Sequence, residues 1–129
     1  VLRKFHESFQ MLVAIAYEEV CREIMTAWQD RPFPFERVGK WWEKNEEIDL
    51  VAVNDRTKDI LFGECKWSEK QVGTNILEAL KKNAKLVDWH TAGRREHYIL
   101  FSKSGFTPDM IERAKKDGVY LVYKNQIQS

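Results

Sequence analysis

Two carboxylates and a lysine stand in two neighbouring apolar segments of the chain. Asp49 lies in the apolar run 48–53, and Glu64 and Lys66 lie in the run 60–66. Polar, turn-forming residues separate the runs, so the two segments are predicted to pair as a β-hairpin. Two carboxylates can hold a hard cation such as Mg²⁺ or Mn²⁺, and with a lysine beside them they can support phosphodiester hydrolysis.

The register of this hairpin is expected to bring the three side chains together. Folding about the centre of the turn pairs residues whose numbers sum to 113, which sets Asp49 opposite Glu64. Lys66 is expected on the same face, because side chains alternate along a strand. Opposed like charges repel each other, so a cation is expected between them. The other face should carry Ile48, Leu50, Ala52, Leu61 and Cys65.

Each residue of this group has an expected role. Asp49 and Glu64 would hold the metal with the backbone carbonyl of Cys65, while Lys66 would orient water or stabilise charge on the phosphate oxygens. A slip of one residue in the register would move Asp49 to the other face. The alternative is that both carboxylates end their strands in water, with Lys66 in a surface ion pair of little energetic consequence.

The pattern around this hairpin predicts an α/β domain with a mixed sheet. The order α-β-β-β-α-β-α-β joins an antiparallel meander to parallel crossovers, with helices on both faces of the sheet. The predicted helices are 5–28, 75–89 and one that starts after Thr107 and ends before Gly118, and the predicted strands are 35–43, 48–53, 60–66, 97–101 and 119–123.

Individual residues indicate how the helices pack and where they begin. Asn75 and Glu78 are spaced as a capping box, and Thr107 before Pro108 is typical of a helix start. Gly118 is a typical helix stop. The stripe expected to bury the first helix consists of Phe5, Phe9, Leu12, Val13, Ala16, Val20, Ile24 and Ala27.

The composition of the 129 residues indicates one folded domain, with 43% hydrophobic and 32% charged residues. A net charge of +1 attracts no polyanion globally, so a nucleic-acid surface would have to be local. Cys21 and Cys65 lack metal or redox spacing and predict buried, reduced thiols in a cytoplasmic protein. The longest apolar run, 11–17, is far below the roughly 20 residues of a membrane span.

Other polar and aromatic residues are compatible with a structural role as well as with a functional one. The histidines His6, His90 and His97 have no zinc-site spacing. Tryptophans could stack on bases but are more often part of the core; they are Trp41, Trp42 and Trp67. Several basic residues could track a phosphate backbone or simply form a solvated surface; they are Lys81, Lys82, Lys85, Arg94, Arg95, Lys115 and Lys116.

Several segments together resemble a known family. They are residues 41–53, WWEKNEEIDLVAV; residues 63–67, GECKW; residues 17–20, YEEV; and residues 98–106, YILFSKSGF. The chain resembles the C-terminal domain of unknown function carried by archaeal AAA-type ATPases, which is itself similar to PD-(D/E)XK nucleases. The likeness covers nearly the whole chain. The proline of the nuclease signature is absent, since Ile48 precedes Asp49.

The resemblance implies a three-layer, restriction-endonuclease-like fold and assigns roles to four residues. Asp49 and Glu64 match the metal-binding acids, and Lys66 matches the catalytic lysine. Glu18 matches an acid that the first helix contributes, although Glu19 remains an alternative, as does a solvated position for both.

The implied function is a metal-dependent nuclease domain that acts on DNA with Mg²⁺ or Mn²⁺. The resemblance makes residues 1–129 a single domain and the C-terminal fragment of a longer protein, with an ATPase domain as its partner in cis. Because the chain has no phosphate-binding loop motif, ATP would bind only in that other part. The alternative is a catalytically silent module that grips DNA or docks onto protein.

Overall fold

A computed structural model describes residues 2–128, except the side chains of Leu2, Arg3, Phe5 and His6. The expected burial of Phe5 and the absence of a role for His6 therefore lie outside the described residues. The elements in chain order are α1 (Leu2–Ala27), β1 (Arg37–Glu43), β2 (Glu46–Asn54), β3 (Asp59–Lys66), α2 (Thr74–Ala84), β4 (Arg95–Ser102), α3 (Pro108–Asp117), β5 (Tyr120–Tyr123) and β6 (Gln126–Gln128).

The strands form one mixed sheet in the order β1-β2-β3-β4-β5-β6. The β3–β4 and β4–β5 pairs are parallel and the other pairs are antiparallel. The mixed α/β class was predicted, but the predicted element order lacked β6. A turn at Lys124 and Asn125, both with positive φ, folds this three-residue strand back onto β5. So short a strand has too few alternating residues to be recognised in the sequence.

Helices pack on both faces of the sheet, which gives two hydrophobic cores. On one face, here called the α1 face, Cys21 and Met25 of α1 lie against sheet residues such as Leu61. On the other face, the α2/α3 face, Leu77 of α2 and Met110 of α3 share a core with the sheet. The central strands are therefore covered on both sides, as their continuous apolar runs predict.

The buried face of α1 differs from the predicted stripe. Cys21 and Met25 are fully buried, whereas Phe9, Leu12 and Val20 of the predicted stripe are more than two-fifths exposed. Residues 9–17 contain a single polar side chain, so helical periodicity there fits several faces equally well. Packing against the sheet, which only the C-terminal part of α1 contacts closely, selects the face.

The predicted capping box of α2 is wrong, and the helix is shorter than predicted. Its N-cap is Gly73, with no side-chain cap bond, so Asn75 and Glu78 do not form the expected pair. The helix stops at Ala84, where Arg94 donates hydrogen bonds to the carbonyl oxygens of Ala84, Val87 and Trp89 at 2.8–2.9 Å. A buried guanidinium thus satisfies carbonyl groups that continued helix would have bonded.

The start and end of α3 confirm the sequence signals. The Thr107 side chain accepts a hydrogen bond from the N–H of Met110 at 3.2 Å, and Pro108 occupies the first helical turn. Gly118 closes the helix with φ of 70°, a left-handed conformation that glycine adopts without steric cost.

Pairing of β2 with β3 confirms the predicted register. The paired residues run from Asn54↔Asp59 to Leu50↔Gly63, and the two residue numbers of every pair sum to 113, as predicted. Within the part of the chain that the structure describes, no helix has both the length and the apolar character that crossing a bilayer requires.

Candidate functional site

A β-bulge in β2 shapes the region where Asp49 lies. Gly39 of β1 pairs with Val51, and Trp41 pairs with Ile48, so two residues of β2, Asp49 and Leu50, face the single residue Lys40. A bulge of this kind bends the strand and redirects side chains, and such bulges are common beside functional sites.

The bulge corrects one placement and explains one missing pair. Ile48 was predicted to share the α1 face with Leu50 but lies in the core of the α2/α3 face, because the extra residue reverses the alternation. The predicted pair of Asp49 with Glu64 is not part of the β2–β3 ladder, which ends at Leu50↔Gly63.

Asp49 bonds the backbone of β3 instead. Its carboxylate oxygen accepts a hydrogen bond from the N–H of Cys65 at 2.9 Å, and the residue is only 8% exposed. Burial, opposed in part by the Cys65 hydrogen bond and reinforced by the negative charge of Glu18, leaves the pKa of Asp49 raised to about 6. Asp49 is therefore mostly ionised at neutral pH, but it takes up a proton at a higher pH than an ordinary aspartate does.

Glu64 lies close enough to Asp49 for the charge of Asp49 to act on it, and Lys66 pairs with Glu64. The Lys66 ammonium is 3.4 Å from a carboxylate oxygen of Glu64, and the Glu64 side chain is 21% exposed. Burial and the charge of Asp49 together leave the pKa of Glu64 raised to about 7, although Lys66 acts in the opposite direction. The effect of the Asp49 charge on Glu64 indicates that the two carboxylates lie near each other in a region of low dielectric.

Glu18 reaches the same region from α1, next to a lysine that the sequence analysis did not select. The ammonium of Lys40 lies 3.2 Å from Glu18 and 3.7 Å from Glu47. Burial lowers the pKa of Lys40, but the hydrogen bond and charge of Glu18 outweigh it, so that the pKa lies above its usual value. The position of Lys40 depends on the bulge in β2. The alternating pattern of β1 does not indicate this bulge, so the sequence analysis did not select Lys40.

The two cysteines meet on the α1 face below this group. The thiols of Cys21 and Cys65 interact with each other, and this contact together with burial raises the pKa of Cys65 well above its usual value. Both are free cysteines, and Cys21 is fully buried. The expectation of buried thiols is confirmed for Cys21 and holds in part for Cys65, which is partly exposed.

A cavity of about 480 Å³ opens on the other side of Lys66. Its walls include Lys66, Trp67 and Lys70, followed by the first residues of α2. Trp67 is 37% exposed; its ring contacts the ring of Tyr17 at 5.2 Å and the ammonium of Lys103 at 4.4 Å. Two lysines and an aromatic ring therefore line this cavity, and one of them, Lys66, also pairs with Glu64.

The carboxylate pair suits a hard cation in its chemistry. Two carboxylates with raised pKa values are both disfavoured as anions in the metal-free protein, and the Cys65 carbonyl is expected to face the same gap as the Cys65 N–H. Among the described residues, however, no three or more His, Cys, Asp or Glu side chains form a group ready to hold a metal. Any site here would depend on two carboxylates and on backbone or water oxygens.

Three of the seven basic residues that could track a phosphate backbone are engaged in contacts within the fold. The Arg94 side chain is 6% exposed and caps α2, Arg95 bonds the buried Asp59 at 3.0 Å, and Lys81 lies 3.5 Å from Asp117. Trp42 is 68% exposed, whereas Trp41 packs against the core.

A family model matches residues 1–84, a stretch that contains Glu18, Asp49, Glu64 and Lys66. The chain belongs to DUF234, a family of archaeal and bacterial proteins of unknown function. An uncharacterised protein of Methanocaldococcus jannaschii is 32% identical to this DUF234 chain over 71 residues, which are 53% of the chain and 16% of that relative. The chain therefore spans only a small part of the relative's length. No solved structure shows a significant match.

Proposed function

We propose that this DUF234 domain has a restriction-endonuclease-like fold and is a metal-dependent nuclease-like domain that acts on DNA phosphodiesters within a larger ATPase. The observation that carries the proposal is the pair of buried carboxylates, Asp49 and Glu64, whose pKa values are both raised beside Lys66. Such a set is electrostatically incomplete without a cation.

The mixed sheet with helices on both faces supports the proposed fold. The acids lie where β2 and β3 cease to pair, with α1 on one side of the sheet and the α2 end of the cavity on the other. The β3–β4 ladder pairs Glu64 with Leu100 and Lys66 with Ser102, so these two side chains are attached to a rigid element.

The residues divide the proposed chemistry between them. Asp49 and Glu64, with the Cys65 carbonyl, would hold Mg²⁺ or Mn²⁺. When bound, such an ion lowers the pKa of water and offsets charge on a phosphate. Lys66, held by Glu64 at 3.4 Å, has further N–H donors for a phosphate oxygen. Lys70 and Trp67 would contact the neighbouring nucleotides in the cavity.

A cleavage assay tests the proposal. Plasmid, linear duplex, single-stranded DNA and RNA are incubated with the wild type in Mg²⁺, Mn²⁺ or chelator. Cleavage of DNA should require the metal and should be abolished in Asp49→Ala, Glu64→Gln and Lys66→Ala. Glu69→Gln is the matched control, because its carboxylate is 89% exposed and paired with Lys103. Cleavage that persists in chelator or in the three site variants would contradict the proposal.

A silent docking or DNA-gripping module is the second candidate. It is favoured by the lysines that already pair with the acids, Lys40 with Glu18 and Lys66 with Glu64. The absence of cleavage by both the domain and the full-length protein, with DNA binding retained, would support this alternative.

A further inference from the structure

Lys40 occupies an unusual position at the edge of the proposed site. Its ammonium lies 3.2 Å from Glu18 and 3.7 Å from Glu47, and it interacts electrostatically with Asp49. Three carboxylates from two elements thus surround one monovalent cation. The lysine neutralises charge at the place where Glu18 is expected to help hold a divalent ion.

The position of Lys40 is set by the backbone of β1 and β2 and not only by side-chain contacts at the surface. The bulge sets this one residue of β1 against Asp49 and Leu50 of β2. Glu18 is fixed from the other side by α1, whose residues Cys21 and Met25 are fully buried one and two turns further along. The ion pair therefore joins α1 to the bulge through elements that do not move easily.

We propose that Lys40 is a tethered counter-cation that holds Glu18 in the metal-free protein and releases it when a divalent ion binds at Asp49 and Glu64. The inference rests on the proposed function, because it assigns a competitor to that metal site. Lys40 is 36% exposed on a long flexible stem, so its ammonium can turn towards solvent. Glu18 then becomes available to the divalent ion.

Charge decides the direction of the expected effect. A fixed positive charge repels a divalent ion nearby, and it also occupies a potential ligand. Lys40→Gln removes both obstacles but keeps a side chain of similar length. The variant should therefore bind Mn²⁺ more tightly than the wild type, by about tenfold for a charge a few ångströms away in a partly hydrated site.

Calorimetric titration with Mn²⁺ tests this expectation. The control is Lys44→Gln, which makes the same change in net charge at an exposed turn of the same hairpin and should leave the affinity within twofold of the wild type. Unchanged or weaker Mn²⁺ binding in Lys40→Gln would overturn the inference. If neither the wild type nor either variant binds Mn²⁺ at millimolar concentration, the proposed metal site itself is wrong.

A second measurement needs no variant at Lys40, so it does not depend on that variant folding. The wild type is labelled with an amine-reactive ester, and the modification of each lysine is quantified by mass spectrometry with and without Mg²⁺. Release from Glu18 should increase the labelling of Lys40 several-fold on addition of Mg²⁺, while the labelling of Lys44 stays constant. Equal labelling of Lys40 in both conditions, at a Mg²⁺ concentration that calorimetry shows to saturate the site, would refute the release.

Discussion

The carboxylates of Asp49 and Glu64 are held in a region that disfavours their ionised forms. One accepts the Cys65 N–H and the other is paired with Lys66, yet both pKa values remain raised because burial outweighs these contacts. Residues that serve only to stabilise a fold are seldom kept in such an arrangement without compensation. The energetic cost of the pair provides tests that do not require a substrate.

Asp49→Asn should stabilise the metal-free domain at pH 8 by at least about 1 kcal/mol, because burial disfavours the ionised carboxylate and each unit of raised pKa corresponds to about 1.4 kcal/mol. The asparagine carbonyl can still accept the Cys65 N–H, so the change removes charge and preserves shape. Urea unfolding in chelator measures the difference. Mn²⁺ should raise the melting temperature of the wild type through binding to the folded state, and that of the variant much less.

Asp55→Asn is the control for this substitution. The pKa of Asp55 is lowered, mainly by the hydrogen bond from His90 and the charge of Arg37, which together outweigh its desolvation, so neutralising it should bring no gain. A lower stability of Asp49→Asn in chelator, together with an equal response of both proteins to Mn²⁺, would make Asp49 a structural residue.

The stability of the metal-free wild type should fall as pH rises from about 5 to about 8. Between the ordinary carboxylate pKa values and the folded values of about 6 for Asp49 and about 7 for Glu64, the folded state binds more protons than the unfolded state. Stability therefore decreases with pH in that window, by about 1.4 kcal/mol for each unit of pKa difference.

Glu64→Gln provides the comparison for the pH dependence. It removes one of the two carboxyls whose pKa is raised, so urea unfolding in chelator at pH 5, 6, 7 and 8 should show a flatter profile for this variant. A wild-type stability that is constant or rises across this range would show that the two carboxyls are not in the low-dielectric region described above.

The parts of the candidate site that depend on regular strand geometry could be predicted from the sequence, and the parts that depend on the bulge could not. The register of β2 with β3 and the closeness of Glu64 and Lys66 follow from alternation and from the polar turn. The redirection of Asp49 to the Cys65 N–H does not, because it depends on the bulge opposite Lys40. Because the bulge also sets Lys40 against Asp49, the sequence did not indicate Lys40 as part of the site.

At the scale of elements, α1 shows that helical periodicity can predict a helix without predicting which of its faces is buried. The helix was predicted to within a few residues, but its buried face was not, because residues 9–17 are apolar in nearly every direction. The length of α2 was overestimated for a related reason. The capping of its last turn by Arg94 is a contact between residues ten apart that no local pattern indicates.

Two methionines of α1 test the corrected buried face. Met25 is fully buried and Met11 is 66% exposed, so the same substitution to alanine should have very different consequences. Met25→Ala should cost about 2–5 kcal/mol of unfolding free energy, because it leaves a cavity. Met11→Ala should change it by less than about 0.5 kcal/mol. Urea unfolding of both variants measures the difference, and similar costs would indicate that α1 packs through another face.

At the scale of the whole molecule, the charge distribution limits how DNA could be bound. The net charge of +1 provides no general attraction, and the arginines expected in a basic patch bond the α2 carbonyls or Asp59. The cations that adjoin the carboxylates are instead Lys40 and Lys66. Lys66 also lies, with Lys70, in the walls of the cavity of about 480 Å³. DNA bound for cleavage would have to approach through that side of the domain.

The salt dependence of DNA binding identifies the face that is used. Each phosphate contact adds about 0.9 to the slope of log K against log salt for duplex DNA, so Lys66→Gln and Lys70→Gln should each lower the slope by about 1. Lys116→Gln is the control, because this exposed lysine lies in the last turn of α3 and is not part of the cavity wall.

Binding is measured by fluorescence anisotropy from 50 to 200 mM salt in Ca²⁺ or chelator, where cleavage does not interfere. A slope that depends on Lys116 and not on Lys66 or Lys70 would place the DNA at the C-terminal end of α3, outside the cavity that Lys66 and Lys70 line. That result would be incompatible with hydrolysis at Asp49 and Glu64, whereas a loss of slope in both cavity variants would bring the phosphates within reach of Lys66.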